Sequence, residues 1–205
     1  MEVMYANSED KGYFNNKNFI GFIGEAQDLY SLLPEMNTIK LKPNSKVKKV
    51  INNNSEYLNL LGLTSDILKY KIKDLSYSEY KMVLLIKICN MHPDLVILNN
   101  FDLGLNYKVR SKILKFIKTV NATYHTNFII LTNDILFINK CAKHIVIAKN
   151  KIIKYQGDII TAIKQNMIDK PPIIEFIDLA NEKGAKLNYT LDNKELLKAI
   201  YRSVF

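Results

Sequence analysis

Three asparagines stand where two apolar runs of the sequence end. Asn99 and Asn100 directly follow Leu95–Leu98, and Asn133 comes shortly after Phe128–Leu131. Asparagine is neutral and has no basic lone pair. We therefore predict no acid–base chemistry at these positions and assign no catalytic residue.

A second candidate is the segment 21–31, which follows an apolar run and precedes a predicted helix. A phosphate-binding loop would read G-x-x-x-x-G-K-[ST] there, with backbone N–H groups and a lysine around the phosphates. The segment has Gly21 and Gly24 but no lysine. Glu25 and Asp28 add negative charge where phosphate would lie, and like charges repel. The sequence therefore favours an ordinary strand-to-helix turn.

Two Cys-x-x-His pairs have the ligand types of a zinc site, namely Cys89 with His92 and Cys141 with His144. Cys89 falls inside a densely apolar predicted helix and Cys141 at the end of another. Small buried thiols are the commoner case, so we expect no metal.

The net charge of +9 admits an acidic partner such as nucleic acid or an anionic membrane face. The lysines are spread along the chain, with one dense run from Lys40 to Lys49. A smaller group, Lys69, Lys71 and Lys73, surrounds Tyr70, and an aromatic ring between lysines can stack on a single-stranded base. The alternative, which the sequence alone favours, is a solvated surface that keeps the protein soluble.

The remaining composition is that of an ordinary globular protein, with 48% apolar and 24% charged residues. The N-terminus is polar and lacks the apolar core of a signal peptide. No apolar run approaches the ~18 residues that span a bilayer. We predict a cytoplasmic protein without a transmembrane segment, associated with a membrane only through a partner.

Apolar periodicity predicts the elements that position these residues. Ser76 is predicted to begin a helix, with Glu79 three residues on in a capping box. Short continuous apolar runs such as Leu95–Leu98 predict strands covered on both faces, as in a parallel sheet. Helices and strands alternate from residue 75, which predicts an α/β fold with a mainly parallel sheet flanked by helices. Further helices are predicted near 57–61, 109–120, 135–141, 173–183 and 193–204, the first of them ending near Gly62. Strands are predicted at 19–23 and 128–131, and a hairpin at 145–153 with its turn at Asn150 and Lys151.

This order of elements, with these residues at the joints, resembles the nucleotide-binding domain of ABC transporters. The family's signature LSGGQ corresponds to Leu75, Ser76, Tyr77, Ser78 and Glu79. The family pattern PDLLLLDEPTSGLD then corresponds without a gap to 93–106, and the element VTHD to 131–134. The tail from residue 171 is similar to the extension through which energy-coupling-factor transporter ATPase subunits pair.

The resemblance implies a truncated P-loop-NTPase-like fold. Residues 1–165 would form a degenerate ABC-ATPase-like domain, with a helical part at about 47–92, and 166–205 a C-terminal helical extension. It also implies what is missing. Asn99 replaces the aspartate that orients the metal, Asn100 the glutamate that activates water, and Asn133 the switch histidine.

The signature is altered as well, because Tyr77 and Ser78 replace its two glycines. In the family those glycines let backbone N–H groups approach the γ-phosphate bound by the opposing subunit, and a tyrosine fills that space.

We therefore predict a catalytically inactive ABC-ATPase-like protein that is a structural or regulatory subunit. It would dimerise or pair with another ATPase or permease subunit, and no cofactor is expected. Two alternatives stay open. The first is a divergent but functional ATP-binding subunit that uses ATP and Mg²⁺. The second is a basic adaptor that binds nucleic acid on the same scaffold.

Overall fold

The computed structural model describes residues 3–6, 18–33, 35–52 and 54–204, with side chains to residue 202. The strands are β1 (Val3–Ala6), β2 (Phe19–Ile23), β3 (Asn37–Thr38), β4 (Leu95–Asn99), β5 (Asn127–Leu131), β6 (His144–Lys149) and β7 (Ile152–Asp158). The helices are α1 (Ala26–Tyr30), α2 (Val47–Val50), α3 (Ser55–Leu61), α4 (Tyr77–Cys89), α5 (Tyr107–Tyr124), α6 (Ile135–Cys141), α7 (Ile159–Lys164), α8 (Pro172–Glu182) and α9 (Asn193–Val204). Two 3₁₀ turns, Ser65–Lys69 and Ile72–Asp74, lie between α3 and α4.

The described strands form one sheet in the order β3-β1-β4-β5-β2-β6-β7. Its centre is parallel, because β4 pairs with β5, β5 with β2, and β2 with β6 in the same direction. The margins are antiparallel, since β1 pairs with both β3 and β4 and β7 forms a hairpin with β6. The predicted α/β fold is confirmed, and the complete sheet is mixed.

Both faces of the central strands are covered, which explains their unbroken apolar runs. In β4, Val96 and Leu98 belong to the larger core under α4 and α5, whereas Leu95 and Ile97 face a smaller core under α1. A third core joins α6, α7 and the tail helices. Tail side chains such as Ile174 and Leu196 are therefore buried against the sheet domain. The division at residue 165 stays a prediction.

Local sequence signals are confirmed where they depend on short-range chemistry. Ser76 caps α4 in a complete capping box with Glu79. Gly62 ends α3 in the left-handed conformation, with φ of 63°. The β6–β7 turn contains Asn150 and Lys151, both with positive φ, as the tightest hairpin turns require.

Sequence analysis missed β1 and β3. The strand β1 has four residues and pairs with β4, some ninety residues away along the chain, so no local pattern announces it. No described helix is long and apolar enough to cross a membrane.

Replacing Ser76 with alanine tests the capping box. We expect the free energy of unfolding to fall by about 1 kcal/mol, because the N-terminal N–H groups of α4 lose an acceptor. Urea denaturation followed by circular dichroism measures the change. Ser78→Ala keeps the Ser76 acceptor and removes only a hydroxyl that lies 3.4 Å from the Ser76 hydroxyl, so it should stay within about 0.5 kcal/mol of the wild type. Equal losses in both variants would contradict the assignment.

Candidate functional site

The carboxyl ends of β4, β5 and β2 lie side by side, and the candidate residues of the sequence meet along that edge. Asn99 and Asn100 end β4, while Asn133 follows β5. The two loops are joined by the backbone, since the N–H of Asn100 donates to the Leu131 carbonyl at 2.7 Å. Crevices at this edge of parallel sheets are where such folds bind ligands. The structure therefore brings the predicted positions into one place.

A chain of neutral hydrogen bonds occupies the strand-end position. The Asn99 side-chain amide donates to the Tyr30 hydroxyl at 3.1 Å, and the Asn100 amide donates to the Asn99 side-chain oxygen at 3.1 Å. Tyr30 is the last residue of α1, so it ties that helix to β4. Both ends of the Asn99 amide are engaged within the protein. Sequence analysis missed Tyr30, because no motif marks its contact with a residue 69 positions away.

The turn between β2 and α1 is too short for a phosphate cradle. β2 ends at Ile23 and α1 begins at Ala26, so only Gly24 and Glu25 lie between them. The phosphate-loop motif needs four residues between its glycines alone. Gly24 has a φ of +148°, and a Cβ there would lie 2.5 Å from the Ala148 carbonyl oxygen. The glycine thus serves close packing of the turn against β6.

The structure places Gly21, the other glycine considered for a phosphate loop, within β2. It pairs with Ile130 of β5 and Ile145 of β6. A Cβ at Gly21 would lie 2.2 Å from Cγ2 of Ile138. Gly21 therefore allows α6 to approach the sheet and does not belong to the turn.

The two acidic residues that the sequence analysis named lie beside this turn. Glu25 and Asp28 line an open cavity of about 390 Å³, together with Asn133 and Lys149. Asp28 is only 7% exposed. Its Oδ1 accepts the backbone N–H of Lys151 at 2.7 Å. Asp28 thus fixes the β6–β7 hairpin turn to α1. It lies in the segment 21–31, which was compared above with a phosphate-binding loop.

The tyrosine in the signature position folds onto its own chain. A Cβ at Gly104 would lie 2.8 Å from Cε1 of Tyr77, so the ring packs directly on that glycine. The Lys81 ammonium lies 4.4 Å from the Tyr77 ring centroid. Tyr77 nevertheless remains 53% exposed. Ser76 and Glu79, in the same signature, are used by the capping box.

Lys81 is fully buried within α4 and holds the turn that follows β4. Its ammonium donates to the carbonyls of Phe101 at 2.9 Å and Leu103 at 2.7 Å. We call residues 101–106 the D-loop turn, after the segment it resembles. Sequence analysis missed Lys81, although a single lysine next to the apolar run 82–86 was a usable signal. A buried ammonium requires such partners.

Arg110 joins the D-loop turn to the segment after β5. Its Nη1 lies 2.7 Å from Asp134 Oδ2, and its Nε donates to the Leu105 carbonyl at 3.0 Å. Its Nη2 lies 3.8 Å from Asp102, a carboxylate that is 1% exposed. Asp134 also caps α6. One guanidinium therefore holds two loops of the candidate site in a fixed relation.

The two cysteines are buried. Burial raises the pKa of the Cys89 thiol and raises that of Cys141 to about 12. Both thiols are therefore protonated at neutral pH, whereas a zinc ligand is a thiolate. The absence of a metal stays a prediction.

Curated relatives of the chain are ATP-binding proteins of ABC transporters. A candidate ABC transporter ATP-binding protein of Pyrococcus furiosus is 31% identical over 147 residues, which cover 69% of this chain and 53% of that protein. The energy-coupling factor transporter ATP-binding protein EcfA2 of Mycoplasmopsis synoviae is 27% identical over 151 residues, covering 71% and 48%. The chain spans about half the length of these relatives. No protein-family model matches it.

Solved structures agree on the fold. The structure of an ATP-binding subunit of an ABC transporter superposes with a TM-score of 0.60, covering 88% of this chain and 100% of that one, at 12% identity. The fold is thus of the P-loop-NTPase class. Within that class it is the ABC ATPase domain, and the homologues of the chain are ABC transporter ATP-binding proteins, the energy-coupling-factor type included.

Replacing Lys81 with methionine tests the buried ammonium. We expect the free energy of unfolding to fall by about 2 kcal/mol, because two carbonyls lose their donor inside the protein. Urea denaturation monitored by tyrosine fluorescence measures it. Lys87→Met makes the same change at a half-buried position of the same helix and should cost clearly less. If the two variants lose equal stability, the bonds to the D-loop turn do not contribute as argued.

Proposed function

We propose that the chain is a non-hydrolysing ABC-ATPase-like subunit that acts by pairing with another protein. The observation that carries this proposal is the two-residue turn between β2 and α1. That turn stands where a phosphate loop would surround the nucleotide. Without the loop, the backbone N–H groups that bind phosphate have no frame to hold them.

The acidic residues beside the turn also oppose the binding of phosphate. Two unit charges of the same sign that lie 4 Å apart repel each other by about 4 kcal/mol at the effective dielectric near a protein surface. A free energy of about −4 kcal/mol corresponds to millimolar binding. Repulsion of this size between a phosphate and Glu25 or Asp28 would offset a millimolar affinity. The two acids therefore support the proposal that no nucleotide binds at this turn.

The side chains at the ends of β4 and β5 also offer no base for hydrolysis. Asn99 and Asn100 carry neutral amides that bond to each other and to Tyr30. Neither can take a proton from water. Asn133 is exposed at the end of β5 and offers no titratable group. A water molecule placed at this edge would find no base among these three residues.

An exposed apolar face supports a role in pairing. It surrounds the D-loop turn, which Lys81 and Arg110 hold through their hydrogen bonds. It presents three large apolar side chains to solvent, with Tyr77 and Leu103 53% exposed and Tyr107 72% exposed. In the family that the sequence resembles, the signature helix faces a partner subunit. We infer that a second copy or a related ATPase subunit covers this face.

Nucleotide binding provides the decisive measurement. Calorimetric titration with ATP and Mg²⁺ should give no saturable heat up to millimolar nucleotide, beside an intact ABC ATPase as positive control. The double variant Asn99→Asp with Asn100→Glu should stay without ATPase activity, because the acids alone do not restore the cradle. Saturable Mg²⁺-dependent binding by the wild type would overturn the proposal and support a divergent working ATPase subunit.

Pairing can be tested by placing a charge on the D-loop turn. Leu103→Glu should abolish association, because a carboxylate would be desolvated in the contact. Ile152→Glu on the β6–β7 hairpin is the matched control, since Ile152 is similarly exposed at 57%. Light scattering reports the mass of each variant for self-pairing, and co-purification reports pairing with a co-expressed ATPase subunit. Equal behaviour of the two variants would remove this face as the contact surface.

A further inference from the structure

Two lysine-rich segments that are distant in the sequence lie side by side in the structure. Three backbone hydrogen bonds of 3.0 Å join them, from Val47 N–H to the Tyr70 carbonyl, Ile72 N–H to Ser45, and Lys73 N–H to Pro43. An isolated antiparallel bridge pairs Lys46 with Lys71. We call the combined surface the lysine patch; its lysines are Lys40, Lys42, Lys46, Lys48, Lys49, Lys69, Lys71 and Lys73.

The lysine patch is exposed and almost uncompensated. All of its lysines are exposed to solvent. Lys69 pairs with Asp66 at 2.7 Å, and the others have no carboxylate partner within the part of the chain that the structure describes. Lys46 and Lys71 stand opposite each other, an arrangement that is destabilising for like charges. The patch therefore has an electrostatic cost that an anionic partner would relieve.

Apolar side chains of the same segments fix the patch to the domain. Val47, Ile67 and Ile72 are buried in the larger core together with α4. Because these anchors lie beneath the lysines, mutual repulsion cannot simply separate the two segments. The positive charges are thus held in a fixed arrangement before any partner arrives. A prearranged array loses less freedom on binding than charges on a flexible tail.

One aromatic side chain lies within this array. Tyr70 is 50% exposed between Lys69 and Lys71, and its carbonyl is fixed by Val47. A base can stack on such a ring while lysines bind the flanking phosphates. Among the described residues of 40–74, Tyr70 is the only large apolar side chain that is strongly exposed. Binding within a membrane interface needs several apolar side chains, so the surface fits nucleic acid better than lipid.

We propose that the lysine patch binds single-stranded nucleic acid. The lysines contact phosphates, and Tyr70 stacks on a base. The interaction is independent of sequence, because none of these groups reads a base edge. It goes beyond the subunit role proposed above and uses a separate surface, so it stands without nucleotide binding or pairing.

Fluorescence anisotropy with a labelled oligouridylate of about 12 nucleotides tests this, since site sizes on such surfaces reach about 16 nucleotides. The logarithm of the binding constant should fall linearly with the logarithm of the salt concentration, with a slope of about −0.7 per phosphate contact. The variant Lys46→Ser/Lys71→Ser/Lys73→Ser should therefore have a salt slope shallower by about 2. Its control is Lys183→Ser/Lys186→Ser/Lys194→Ser, which removes the same charge from the exposed tail and should leave the slope unchanged.

The ring is tested separately. Tyr70→Ser should weaken binding about 5- to 150-fold, the range for loss of one stacked base, whereas Tyr70→Phe keeps the ring and the affinity. Thermal melts verify that each variant is folded, and Lys48→Ser/Lys49→Ser is a second patch variant if the first is not. No binding at low salt, or equal loss in the patch and tail variants, would refute the proposal. So would binding to phosphatidylserine vesicles without binding to the oligonucleotide.

Discussion

A buried ammonium group holds the central part of this protein together. Lys81 lies on α4 without any exposure to solvent, and burying a charge is costly unless it is hydrogen-bonded. Its bonds to the Phe101 and Leu103 carbonyls therefore determine where the D-loop turn runs. Tyr77 closes over the same group and packs on Gly104. Arg110 then extends this arrangement to the segment after β5, so that two loops and one helix are fixed by two cations.

The carboxyl edge of the parallel strands in the same region carries neutral amide side chains. The parallel strands still converge on an edge where other folds of this class bind nucleotides. Their polar ends have become an amide chain linked to Tyr30, and the turn between β2 and α1 holds two residues. Asp28 uses its carboxylate to bind the hairpin turn. Asn99, Asn100 and Asp28 at this edge thus have hydrogen-bond partners within the protein, as polar groups of folded proteins generally do.

Two surfaces of the domain differ from this edge in chemistry. The face around the D-loop turn exposes Tyr77, Leu103 and Tyr107, and aromatic residues are enriched in protein contacts. The lysine patch is polar and strongly positive, carried by short turns instead of long helices. These two surfaces differ in chemistry and in the segments that build them. The proposed protein contact and the proposed polyanion contact therefore use different residues.

Much of the fold could be predicted from sequence because its signals are local. The Ser76 capping box, the Gly62 helix end, the hairpin turn at Asn150 and the apolar strands each depend on residues within a few positions of one another. The neutral side chains of Asn99 and Asn100 were equally evident, since residue type alone decides whether a proton can be taken. Longer-range pairings were not evident. The strand β1, the Tyr30 contact with Asn99 and the bonds of Lys81 all join residues that only the folded chain brings together.

By itself, then, the sequence determined the α/β class, the caps and turns, and the neutral side chains at Asn99, Asn100 and Asn133. The tertiary structure alone decided that the turn between β2 and α1 is two residues long, that Lys81 is buried against the D-loop turn, and that two separate lysine runs form one surface. The physical reason is the same in each case. Local propensity acts over a few residues, whereas burial and charge density depend on which distant segments the core packs together.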